Sequence, residues 1–191
     1  EGTFVILTAD IDMEGYALNP ITGVYGFFGD FNGNGKVISN FNIDASRQDR
    51  AGLFYMANSS NIYNFILDCD IDISNVGLDG IGAVAGSSYG SEYRGIKVRG
   101  RIVGDAYGFG GLVGLDFTDA KDTSGEYATL TYEGNDINAS LENYYVDGFT
   151  AGLIGIADTS PFGGSDGATL LLKNNKVSGF ILSSYFVAGL T

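Results

Sequence analysis

Apolar and polar residues alternate along most of this chain, and the alternation is punctuated by glycine-rich units that return. Gly52-Leu53-Phe54 comes back as Ala83-Val84-Ala85-Gly86, Gly111-Leu112-Val113-Gly114, Gly152-Leu153-Ile154-Gly155 and Gly189-Leu190-Thr191. A second unit precedes each return. With Ile38, Ile62, Tyr93, Leu141 and Leu172 set as its origin, the position five residues on holds Ile43, Leu67, Val98, Val146 and Val177, aliphatic each time. Two residues further stand Ala45, Cys69, Gly100, Gly148 and Gly179, small each time. Apolar or small side chains at steps of two are the signature of a strand with one face in a core. No segment carries a 3.6-residue stripe with caps, so helix is expected to be scarce.

Each repeat therefore reads as two or three short strands parted by Gly and Asn turns, and a single repeat has too little surface to bury its own face. Stacking solves this: like residues lie over like, about 4.8 Å apart, and every backbone group except those at the two ends finds a partner. The Asn recurring two positions after the origin (Asn40, Asn64, Asn143, Asn174) fits a turn with stacked amides. The expected class is all-β, a parallel β-solenoid of about five to six coils. It is expected to form one domain over residues 1–191, with loop excursions near 115–140 and 156–171. A β-sandwich of antiparallel hairpins is the alternative that the same strand and glycine content allows.

The Gly-Leu-Val-Gly-like units, together with Leu7-Thr8-Ala9-Asp10-Ile11-Asp12 and the stretch from Phe28 to Ile38, resemble the GLUG-motif β-helices of bacterial surface and adhesin-like proteins. That resemblance implies a right-handed parallel β-helix, an extracellular or cell-surface location, and a role in adhesion, binding or surface structure. Its motifs specify architecture and no chemistry. Ala83 and Val84 depart from the pattern, as does Asn175 at a place expected to be apolar.

Composition narrows the functions. Ten Lys and Arg against 23 Asp and Glu leave a net charge of −13. Phosphate recognition needs a basic stripe, so no nucleic-acid partner is expected. With no histidine and one cysteine, the common zinc sites and the Ser-His and Cys-His nucleophile pairs are excluded. No apolar run reaches the roughly 18 residues of a membrane span, so no membrane insertion is expected. The chain begins at Glu1 rather than Met, which reads as a processed chain or an excised piece, and it stops inside a repeated unit. Repeat arrays end in a polar cap, and none is legible here, so either more protein or another copy is expected to cover the end.

The candidate chemistry is sparse. Asp68, Asp70 and Asp72 alternate along one strand and offer a calcium row, or the acids of a calcium-dependent polysaccharide lyase or glycosidase with Lys97 as base. The repeat register places Arg99 and Arg101 beside Asp68 and Asp70, which favours outward salt-bridge ladders instead. Asp30, Asn32, Asn34 and Gly35 open like an EF-hand loop, but Phe41 stands where the bidentate Glu belongs, so a tight turn is expected. Cys69 falls in the small inward series and reads as an inert thiol. Tyr127 and Tyr132, with Arg99 and Arg101, are the candidate binding surface for a glycan or a host or cell-surface ligand. The polar segment containing Asp116 reads as solvated loop. The leading expectation is a non-enzymatic surface module, with a filament subunit joined through its open ends as the structural alternative.

Overall fold

The structure is a computed structural model that describes residues 2–23, 25–117, 129–158 and 169–190, leaving aside the side chains of 74–76. It is all-β: among the described residues there are strands, turns and bends and no helix. Among the described residues nineteen strands form a 15-stranded sheet and a four-stranded sheet. Every pairing between described strands is parallel, which removes the antiparallel-hairpin sandwich.

The chain makes successive passes through the same positions. Three consecutive passes run through Gly29–Ile43, then Asn61–Gly82, then Glu92–Arg94 with Lys97–Gly110. Two more run through Thr129–Glu133 with Asp136–Asn143, and Thr169–Lys173 with Lys176–Ser178 and Ile181–Ser183. Thr3–Ile6 and Ile11–Asp12 lie ahead of the first of these. The four-stranded sheet holds Phe54–Asn58, Ala85–Tyr89, Val113–Phe117 and Ile154–Asp158, one strand per pass.

The register defines the interior. Val5, Phe31, Ile62, Tyr93, Tyr132 and Leu172 form one column. Ile11, Ile38, Leu67, Val98, Ile137 and Val177 form the next. The central members of both are buried. The expected column is therefore right at Leu67, Val98 and Val177 and wrong at two places. Ile38 stands in it in place of Ile43, and Ile137 in place of Val146, which is 75% exposed. Both errors have a local cause. In the pass that begins at Gly29, two extra residues near Asn34 and Gly35 make a left-handed turn, with φ of 52° and 70°, and this displaces the origin from Ile38 to Phe31. In the later pass Tyr132, rather than Leu141, pairs with Tyr93; Leu141 stacks instead between Ile102 and Ile181.

The predicted loop excursions shrink accordingly. Leu115 to Phe117 and Thr129 to Ser140 lie on strands or the turn between them, as do Ile156 to Asp158 and Thr169 to Leu171. The remaining 118–128 and 159–168 lie outside the described residues.

The recurring Asn has a backbone reason. With the corrected origin, the place two residues on holds Asn64, Gly95, Gly134 and Asn174, whose φ values are 63°, 61°, 66° and 55°. Asn and Gly are the residues that enter this left-handed region at least cost. The stacked amides sit one residue later. Asn135 Nδ2 donates to Asn175 Oδ1 and to the Tyr93 carbonyl, both at 3.0 Å, and Asn175 Nδ2 donates to the Tyr132 carbonyl at 2.7 Å. Asn175 thus fits its supposedly apolar place as half of a hydrogen-bonded pair.

The glycine-rich units mark where backbone meets backbone. Leu53, Val84, Leu112, Leu153 and Leu190 follow one another through Leu53 N to Ala83 O, Val84 N to Leu112 O, Leu112 N to Leu153 O and Leu153 N to Leu190 O, as the sequence repeat predicts. A Cβ on Gly114 would lie 2.5 Å from Ile81 N, and one on Gly155 2.3 Å from Phe109 N. The four-stranded sheet therefore presses on the larger sheet at distances that only glycine permits.

Candidate functional site

The outward row follows the predicted register: Asp68 pairs with Arg99 and Asp70 with Arg101 between adjacent strands. The ion contacts are less regular. Arg99 reaches Asp68 at 3.9 Å, whereas Arg101 reaches past Asp70 to Asp72 at 3.6 Å and to Glu142 at 3.3 Å on the strand beyond. The hydrogen bond from the Tyr144 hydroxyl, and then the Arg101 contact, hold the Glu142 carboxyl below its ordinary range. Arg99, Arg101, Asp68 and Asp72 are 42–52% exposed and Glu142 20%, so solvent screens these pairs and they add little to stability. A hollow of about 290 Å³ lies over Asp68, Asp70, Arg99 and Asn40.

The calcium expectation finds no support in this geometry. Among the described residues no three Asp, Glu, Cys or His side chains come together as a metal cluster. Alternate residues on a strand are about 6.6 Å apart, too far for one ion bound at 2.3–2.6 Å to draw several rigid carboxylates together without a bend. Lys97 is in register with Ile66 and Asp136, so the expected pairing of this lysine with Asp68 or Asp70 is not made in the register.

Cys69 is buried, and its thiol donates to the Arg99 carbonyl at 3.1 Å. Burial, then the charges of Asp68 and Asp70, push the thiol up to about 12. It is unreactive at neutral pH. The EF-hand-like stretch is a turn: Asn34 N donates to Asn32 Oδ1 at 2.8 Å, and Asn34 Nδ2 donates to the Leu7 carbonyl at 3.2 Å.

Tyr132 is a correction. It is fully buried, stacked on Tyr93 with ring centroids 5.0 Å apart, and no surface ligand can reach it. The alternation that turns Leu130 inward turns Tyr132 inward too. Tyr127 lies outside the described residues. Arg99 and Arg101 remain on the surface, with their charges already met by neighbouring acids.

Sequence reasoning missed Asp116. It sits on a strand between Ser88 and Ala157, wholly buried, and accepts a short hydrogen bond from the Tyr132 hydroxyl at Oδ2. Its Oδ1 and the Ser87 hydroxyl have no hydrogen-bond partner among the described residues. Burial pushes the Asp116 carboxyl up to about 7, against the Tyr132 hydrogen bond that favours its charged form. The signal was present in the repeat itself, because Asp116 follows Gly114-Leu115 on a strand whose partners Ser88 and Ala157 are small.

A second hollow, of about 480 Å³, is lined by Asp30, Asn61, Tyr63, Asn64, Arg94 and Gly95. Asn61 Nδ2 donates to Asp30 Oδ1 at 2.6 Å on its floor, and Arg94 is held by Glu92 at 2.5 Å. It is open to solvent.

No family model matches the chain. No solved structure matches it either. Over 137 residues, 65% of the chain, it is 34% identical to Halomucin of Haloquadratum walsbyi. That stretch amounts to 1% of Halomucin, so the chain spans a very small part of the protein it resembles. Among the described residues no helix is long and apolar enough to cross a membrane.

Proposed function

We propose that residues 1–191 form one right-handed parallel β-helix domain of the GLUG type, working without catalysis as a module of an extracellular or cell-surface protein. Adhesion, ligand binding or surface structure is the role. The observation that carries this reading is the parallel register, in which six aliphatic residues from Ile11 to Val177 follow one another despite local shifts, and Asp68 and Glu142 meet arginines of the neighbouring pass. Such an arrangement spends its sequence on stacking. The partial likeness to a protein named as a mucin supports an outer location. A glycan or a cell-surface ligand is the partner class that the exposed, open hollow over Asp30 and Arg94 suits best, because it offers amide, carboxylate and guanidinium groups beside the tyrosine ring of Tyr63.

The test is incubation of the purified chain with a panel of neutral and anionic polysaccharides, reading both binding and release of reducing or unsaturated ends. Binding without cleavage is the expected result. Cleavage that disappears in Lys97→Ala or Asp70→Asn overturns the non-enzymatic reading.

A further inference from the structure

We propose that the hollow over Asp30 and Arg94 takes an uncharged glycan, held through two neighbouring hydroxyls of one sugar ring by Asp30 and Asn61, and that it turns away sulfated and carboxylated glycans. This rests on the reading of a non-enzymatic binding module given above, and names the class of sugar and the residues that choose it.

The parallel register builds the hollow. On either side of the buried series Phe31, Ile62 and Tyr93 lies a row of outward positions. One row is Asp30, Asn61 and Glu92; the other is Asn32, Tyr63, Arg94 and Glu133. The left-handed corner at Asn64 and Gly95, with φ of 63° and 61°, completes the wall. Further strands pair on both sides of these three passes, so the hollow belongs to the middle of the stack. Its volume of about 480 Å³ falls among those of small-ligand sites, ~300–1,000 Å³.

The polar groups suit vicinal hydroxyls. Asn61 Nδ2 donates to Asp30 Oδ1 at 2.6 Å, which fixes the two side chains against each other. A carboxylate has two accepting oxygens and a carboxamide has two N–H groups. Asp30 Oδ2 therefore accepts from one sugar hydroxyl, and the second N–H of Asn61 donates to the next. Because each hydroxyl both donates and accepts, an acceptor and a donor locked side by side match a neighbouring pair, and the preset geometry lowers the ordering cost of binding. Tyr63 supplies aromatic surface for the C–H face of the ring.

Charge decides between the glycan classes. Arg94, the cation that lines the hollow, is already engaged: Glu92 holds it at 2.5 Å and Glu133 lies 3.8 Å away. Glu133 is shared in turn with Lys173 at 2.5 Å. Together with Asp30 the carboxylates outnumber these two cations, on a chain of net charge −13. A sulfate or carboxylate entering here has to displace Glu92 from Arg94 and then stands beside Asp30, a like-charge contact that rejects the anionic sugar.

The experiment takes the full chain and three neutral polysaccharides, mannan, galactan and dextran, each with its sulfated derivative, and measures affinity by titration at one salt concentration. Binding to at least one neutral polymer is expected, ~tenfold weaker to its sulfated form. Periodate, which cleaves the bond between carbons bearing neighbouring hydroxyls, is expected to abolish binding of the treated polymer. Asp30→Asn, equal in size, is expected to weaken binding ~tenfold, Tyr63→Ala to do the same, and Tyr63→Phe to retain it. Unfolding midpoints measured beside each affinity separate a lost contact from a lost fold, and if Asp30→Asn unfolds, Asn61→Ser carries the same test. Tighter binding to a sulfated form, binding that survives periodate, or binding that Asp30→Asn leaves unchanged overturns the inference while the module reading stands. Failure to bind every polymer overturns it as well. New reducing ends in a bound polymer are the separate result that takes down the non-enzymatic reading.

Discussion

Asp116 is the residue whose environment departs furthest from what its type prefers. Its carboxyl is sealed between two sheets with one oxygen held by Tyr132 and the other unpaired. In the unfolded chain it loses its proton near the ordinary value of 3.8, and in the folded chain near 7. Between these values the unfolded state binds fewer protons, so the contribution of Asp116 to stability is full below 3.8 and is lost as the pH rises through 7, by at most ~1.4 kcal/mol per pH unit. Asp12, Asp44, Glu133 and Glu142 act in the opposite sense, since their carboxyls are held below the ordinary range and their contributions fade as the pH falls. Urea midpoints of the parent and Asp116→Asn across pH 4–8 isolate the single group. The difference between the two curves is expected to move in favour of Asp116→Asn as the pH rises. A difference that stays constant with pH would mean that the buried carboxyl does not titrate in this window.

At the scale of strands and turns, the glycine-rich units and the period-two pattern carried the fold, and the register went astray where pass length changes. The Leu53–Leu190 series was legible because glycine stands beside Leu53, Leu112 and Leu153, and a Cβ on Gly52, Gly111 or Gly152 would press on another backbone. The Asp68–Arg99 pairing was legible because those two passes have equal spacing on either side, Ile62 to Leu67 and Tyr93 to Val98. Ile43 and Val146 were misplaced because both fit the same period-two pattern as the true column members Ile38 and Ile137, and periodicity cannot choose between two apolar strands in one pass. Tyr132 was misread for the converse reason: an aromatic in a polar stretch looks like surface until its partner Tyr93 is fixed. The glycine contacts make a sharp forecast. Gly114→Ala sets a methyl 2.5 Å from the Ile81 nitrogen, and the sheets must part to admit it. A loss of ~2–3 kcal/mol in denaturant unfolding is expected, compared with at most ~1 kcal/mol for Arg99→Ala on the surface. Equal losses would mean that the sheets do not touch at this line.

For the whole molecule, a net charge of −13 on 191 residues sets a self-repulsion that the local ion pairs only partly relieve. Salt screens exposed charges over about 8 Å at 0.15 M and about 3 Å at 1 M. Raising NaCl across that range is expected to raise the thermal midpoint of the monomer, because the dispersed repulsion weakens more than the hydrophobic columns do. A midpoint that falls with salt would show that the ion pairs between passes outweigh the overall repulsion.

The hydrogen bonds between passes run along the pile, and each pass touches chiefly its neighbours. Tension applied to the two ends of such a chain loads the outermost pass first, and that pass can peel away while the rest keeps its shape. Ile62 and Tyr93 stand at one place in adjacent passes, so a released pass frees the 31 residues between those positions, roughly 100 Å of slack. Under load such a stack is therefore expected to lengthen in discrete steps, one pass at a time.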